Sequence, residues 1–242
     1  MKPSIRHEIK LHAQTPEAMC GPTSLAMQLS AHGEALSPLD VVTNAAGSKR
    51  PGDFGFTSQE LGRYCLSLGY QVEMWSFDCL VLDYAWKDLS GAALATELGT
   101  LCRHHEGRTP VDENKLRYAL GYLAFVEAGG VLHGAPFVTS ELLLRLLEKG
   151  PVGVSVLFGV FASEGKRDSE QAFNALTGGA GTHSVLVIGY EEATGFLVAD
   201  PAPGRGVVTV GKESLLAAIT AAQVEYDNVI FQVTGARKIV RG

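Results

Sequence analysis

Charge is scarce in this sequence, and what there is carries no strong sign. Charged residues make up 19% of the 242, with a formal net charge of −6, so a basic field for nucleic acid or for an anionic membrane surface is absent. Long apolar runs are also missing. Residues 152–160 form the longest, and Gly153, Ser155 and Gly159 interrupt a stretch already far too short to span a bilayer. The first fourteen residues carry Lys2, Arg6 and Lys10 with no apolar core behind them and do not read as a secretory signal. Cys20, Cys65, Cys79 and Cys102 are too few for a disulfide framework in so long a chain, which points to the reducing cytosol. No repeat, low-complexity tract or Walker-type phosphate loop occurs, which excludes solenoids and P-loop ATPases. The remaining composition, 46% hydrophobic, is that of a globular chain with a sizeable core.

Helix signals come early. Pro22 suits the first turn of a helix opening at Cys20, which Leu25, Ala26, Met27 and Leu29 make apolar and Gly33 ends. Thr57-Ser58-Gln59-Glu60 has the pattern of a capping box, followed by the apolar stripe Leu61, Tyr64, Cys65, Leu68 and a stop at Gly69. Residues 70–77 alternate like a strand. Leu116, Leu120 and Leu123 have helical spacing, and residues 140–149 form a further helix stopped by Gly150-Pro151. Strands are expected at 152–158, 184–190, 196–199, 207–210 and 229–233, with a helix over 212–222. Helices first and antiparallel strands last describe an α+β domain.

Three residues then acquire a chemical reading. A cysteine attacks a carbonyl as its thiolate, and a helix start stabilises that anion; Cys20-Gly21-Pro22 puts a thiol there. His183 follows the Gly-rich run 178–181 and opens an apolar strand, while Asp200 closes the next strand just before Pro201. The loop 191–195 makes those strands a hairpin, so the start of one lies beside the end of the other and the carboxylate can hold the imidazole tautomer. Each residue alone has a plainer explanation: a buried thiol, a structural histidine, a turn aspartate. Their combination is harder to reach by accident. Gln14, six residues before Cys20, supplies an amide that together with the Cys20 N–H suits an oxyanion hole.

These motifs resemble the double-glycine-leader cysteine peptidases, the papain-like domains that process bacteriocin precursors, and their stand-alone relatives. The likeness rests on Gln14, Cys20-Gly21-Pro22-Thr23-Ser24-Leu25-Ala26-Met27, Thr182-His183-Ser184-Val185 through Gly189-Tyr190, and Ala199-Asp200-Pro201 through Gly204. It covers roughly residues 10–75 and 138–210. The resemblance implies a papain-like fold and a thioester mechanism on a peptide or protein substrate. In it Cys20 is the nucleophile, His183 the base, Asp200 the residue orienting the base and Gln14 an oxyanion donor. The Cys-to-His separation is about twice that of the family, which implies one domain over 1–242 with an insertion at about 79–137. Ser184 stands where the family has a large apolar residue, and the membrane and ATPase domains of exporter-fused members are absent from this sequence.

Other constellations carry less. Cys102, His104 and His105 lack a second pair at zinc spacing, so neither metal nor cofactor is expected. The Gly-rich run before His183 precedes a strand, which suits a lid better than a phosphate cradle. Trp75, Phe77, Tyr84 and Trp86 suit packing or a cleft wall. The same triad also serves acyl or peptidyl transferases and amidases, and a peptide-binding module without turnover is the alternative from another class.

Overall fold

The computed structural model describes residues 4–15, 19–48, 55–134, 138–164, 181–225 and 228–235. Capping boxes start two of the early helices. Strand β1 (Ile5–Arg6) leads to helix α1 (Cys20–Ser30), and α2 (Pro38–Ala45) follows with Ser37 and Asp40 closing a capping box ahead of it. Helix α3 (Ser58–Ser67) has the expected box: Glu60 Oε2 accepts from Thr57 N at 2.7 Å, and Thr57 Oγ1 accepts from Glu60 N at 3.3 Å.

Strand β2 (Gln71–Ser76) is followed by a helical hairpin, α4 (Gly91–Glu106) and α5 (Glu113–Glu127), and by strand β3 (Val131–Gly134). The last third contains α6 (Ser140–Leu147), β4 (Val152–Leu157), the short α7 (Phe158–Ala162), β5 (Thr182–Glu191), β6 (Gly195–Asp200), β7 (Gly206–Val210), α8 (Lys212–Ala221) and β8 (Val229–Thr234).

The strands form one sheet in the order β3-β2-β8-β4-β5-β6-β7, with β1 added to β5 where β4 has ended. The class is α+β, as the order of signals implies. All pairings are antiparallel except β2 with β3, which runs parallel. That exception has a cause: the chain between them crosses over through α4 and α5, and a parallel pair requires such a crossover.

Helices cover both faces. Leu25, Leu61, Leu98, Tyr122 and Phe125 pack with Val72 and Val233 in one buried cluster, which therefore includes residues of the 79–137 segment. Leu143, Leu147, Leu215 and Ile219 pack with Val154, Val187 and Val198 on the opposite face. Met27 of α1 closes a third cluster on Leu186 and Ala199. Gly62 lets α3 approach its neighbours, because a Cβ there would lie 2.4 Å from Met74 Cε and 2.9 Å from a Phe125 ring carbon.

The register collects several strand ends at one edge of the sheet. Val156 pairs with His183, Ser76 with Val229, and Asp200 with Gly206, so these residues share that edge. The N-terminal segment reaches the same edge as a strap. His7 N donates to Ile188 O (2.8 Å), Lys10 N to Ser30 Oγ (2.8 Å) and Gln14 N to Pro201 O (2.8 Å). Among the described residues, no helix is long and apolar enough to cross a membrane.

Candidate active site

Cys20 is the first residue of α1 and is half-buried. Met19, the residue ahead of it, makes no side-chain capping bond, and the first turn holds no acidic residue. The positive end of the helix is thus left to the sulfur, the environment in which a thiolate is stabilised. Thr23 Oγ1 bonds the Met19 carbonyl at 2.9 Å, and Ser24 Oγ bonds the Ser184 carbonyl at 2.9 Å. The second bond pins the start of α1 to the residue after His183.

His183 lies second in β5, buried at 7% exposure. Its Nε2 is 2.7 Å from Asp200 Oδ1. The β5–β6 register ends with Leu186 opposite Ala199, so its continuation sets Asp200 opposite Val185. His183 is two residues further along and on the same face, which makes the pair diagonal rather than directly opposed. The imidazole also hydrogen-bonds the Cys20 side chain. With Nε2 held by the carboxylate, that second bond falls to Nδ1. Burial works against the charged ring, but the bonds to Asp200 and Cys20 and their negative charge outweigh it, and the pKa rises to about 9.

Asp200 is 2% exposed and closes β6. Burial would raise its pKa, yet the His183 bond, the Ala202 N–H (2.9 Å to Oδ1) and the nearby Arg205 charge hold it below the ordinary carboxylate value. Phe158 sets its ring edge-on to His183 at 5.2 Å and 85°. Gln14 is fixed beside this pair through its backbone bond to Pro201; its Oε1 is buried without a hydrogen-bond partner. An open groove runs past the strap and the turn after Asp200, lined by His12, Ala13, Asp200, Gly204 and Arg205.

Over residues 6–220 the sequence matches the Peptidase_C39 like family. The chain belongs to that family.

The family is one of cysteine peptidases. Three solved structures resemble the chain at low identity. One is a provisionally assigned C39-like peptidase from Bacillus anthracis, with 14% identity, TM-score 0.46 and coverage of 98% of this chain and 100% of that one. Another is the peptidase domain of Streptococcus ComA, a bifunctional ABC transporter of a quorum-sensing pathway, with 16% identity, TM-score 0.42 and coverage of 94% and 98%. A third is a double-glycine-motif protease from an AMS/PCAT transporter in complex with its leader peptide, with 11% identity, TM-score 0.41 and coverage of 96% and 98%. No curated protein matches the sequence.

Within this C39-like chain, Cys20, His183 and Asp200 form one hydrogen-bonded series, with Gln14 tied to the residue after Asp200. Ser184 faces the start of α1: a Cβ on Gly21 would lie 3.9 Å from its hydroxyl. Cys102 and His105 are buried in α4, and among the described residues no group of three or more His, Cys, Asp or Glu could hold a metal. Of the aromatic group, Trp75 and Phe77 are core, Trp86 is partly buried and Tyr84 is exposed. The Gly-rich run lies outside the described residues except for Gly181, whose carbonyl accepts from Phe158 N at 3.0 Å.

Sequence reasoning missed Arg205. Its Nε lies 2.5 Å from Asp200 Oδ2, an ion-pair contact without hydrogen-bond alignment. A cation between two glycines, five residues after the aspartate, was the available signal.

Proposed function

We propose that this protein hydrolyses peptide bonds through a Cys20-His183-Asp200 triad. The observation that carries the reading is the two-ended bonding of the His183 ring, with Nε2 to Asp200 and the Cys20 bond left to Nδ1. An imidazole held in this way keeps one tautomer and carries a proton between sulfur and substrate.

The steps follow from those positions. The Cys20 thiolate attacks the scissile carbonyl carbon, and the amide N–H of Cys20 with the Gln14 side chain receives the oxyanion. His183 Nδ1–H gives its proton to the leaving amine as the C–N bond breaks, leaving a thioester. Water then loses a proton to His183 and attacks the thioester carbonyl, and the C–S bond breaks to release the acid and restore the Cys20 thiolate beside the protonated imidazole. Asp200 keeps the ring oriented and balances the imidazolium throughout. A peptide or protein substrate follows from the family. The free thiols suit the cytosol as the site of action.

Cleavage of a diverse peptide library, read by mass spectrometry with and without an added primary amine, tests this reading. New carboxyl termini that vanish in Cys20→Ala support hydrolysis. Products joined to the amine would assign a transferase, and bound but uncut peptides a binding module.

A further inference from the structure

We propose that Arg205 is a positioning residue for the His183–Asp200 pair, a guanidinium clamp on the carboxylate edge that the imidazole leaves unused; this rests on the peptidase reading above.

The two oxygens of Asp200 are treated unequally. Oδ1 accepts from His183 Nε2 at 2.7 Å and from Ala202 N at 2.9 Å. Oδ2 is buried with no hydrogen-bond partner, and Arg205 Nε stands 2.5 Å from it. A buried anion oxygen without donors is costly unless a cation lies against it. Arg205 is that cation.

Arg205 is itself held from several sides. Its guanidinium lies over the Phe158 ring at 5.9 Å and the Phe161 ring at 5.7 Å, and Glu164 Oε1 is 3.6 Å from its Nη1. The tight turn around it, with Gly204 and Gly206 at φ +80° and +63°, bonds Arg205 N to Ala202 O at 3.1 Å. Since Phe158 also rests edge-on against His183, the contacts close a ring: Asp200, His183, Phe158, Arg205 and back to Asp200. A carboxylate fixed on both edges cannot swing away from the imidazole, and so the imidazole cannot turn from Cys20. A flat guanidinium can stack and pair at once, which an ammonium cannot do as well.

The charged and titratable groups around the pair are Cys20 from α1 and Arg205 from the turn, with Glu164 after α7 held against Arg205 and His12 of the strap, beside Lys10, lining the groove next to Asp200. Removing a cation from this set makes both the thiolate and the neutral imidazole harder to form, and removing an anion does the reverse.

The test is the pH dependence of Cys20 alkylation by iodoacetamide in the full chain, together with kcat and KM on a cleaved library peptide. Arg205→Gln is expected to shift the alkylation onset up by about half a pH unit and to lower kcat about tenfold with KM little changed. Arg205→Lys restores most of the onset shift but less of kcat. Glu164→Gln shifts the onset downward, and it decides the matter even where Arg205→Gln fails to fold. An Arg205→Gln onset superimposed on wild type, or an unchanged or upward onset in Glu164→Gln, overturns the proposal. A wild-type protein that cuts no peptide while these onsets still move as stated overturns only the peptidase reading.

Discussion

Gln14 gives its backbone N–H to the carbonyl of Pro201 at 2.8 Å. One short bond thus joins the segment that precedes the Cys20 helix to the residue that follows Asp200. The proposed oxyanion donor and the proposed orienting carboxylate are positioned by the same turn, although residues 14 and 200 are 186 positions apart in the sequence. A displacement of that turn would move both groups.

Cys20→Ala is expected to abolish hydrolysis and leave the fold intact, because Cys20 is half-buried while the packing of α1 rests on Leu25, Met27 and Leu29. Thermal melting and circular dichroism check the fold. In wild type, iodoacetamide should label Cys20 well ahead of Cys65 and Cys102, which are buried, and ahead of Cys79, which is exposed but away from any helix start. Residual turnover with a large loss of stability would mark Cys20 as a core thiol instead.

Asp200→Ala should lower kcat by roughly two to four orders of magnitude. The same change strands Arg205 beside an apolar side chain, so a loss of about 1–3 kcal/mol in stability is expected as well. Wild-type turnover in this variant would remove Asp200 from the mechanism.

The pH dependence has a definite sign. Native His183 keeps its proton to about pH 9, while an unfolded histidine loses it near 6.5. Its contribution to stability is complete below 6.5 and disappears as pH climbs through 9. Melting temperature should therefore fall across that window, and fall less in Asp200→Asn, where the main bond raising the pKa is weakened. In Cys20→Ala the NMR midpoint of the ring should move down, since the second raising partner is gone. A midpoint near 6.5 in wild type would contradict the bonded pair.

Residues 79–137 are expected to resist excision. Leu94, Leu98, Tyr122 and Phe125 share a buried cluster with α1 and α3, and β3 pairs along β2. Replacing the segment with a short Gly-Ser linker exposes that cluster, and the shortened chain should show no cooperative melt. A folded, active product would show instead that the segment is a separable decoration.

Thr57→Ala should destabilise the protein in urea unfolding, as loss of a helix cap does, within a range of about 0.5–2 kcal/mol. Thr57 and Glu60 are both buried, so the cost is expected at the upper end of the capping range.

Much of the candidate site was legible because its residues sit beside punctuation in the chain. Cys20 precedes Gly21-Pro22, His183 follows a glycine run, and Asp200 precedes Pro201, so helix start and strand ends could be placed without a structure. Arg205 was marked only by its place between Gly204 and Gly206. Its partners Phe158, Phe161 and Glu164 lie more than forty positions away, and nothing local marks the carboxylate oxygen it faces. Helix α2 escaped notice because only Val41 and Ala45 are buried along its eight residues. Helix α4 buries only Leu94, Leu98, Cys102 and His105, and small or polar residues between them blur the apolar stripe. Strand β3 has four residues and takes its place only through the crossover, which no local pattern announces.

The strand order also times the chemistry during synthesis. Cys20 is made before its imidazole and carboxylate, which are in the fifth and sixth elements after α5, and β8, which bridges β2 to β4, follows both. Contacts so distant in sequence form late. A nascent chain therefore carries Cys20 as an isolated thiol until β5 and β6 have been made and have paired.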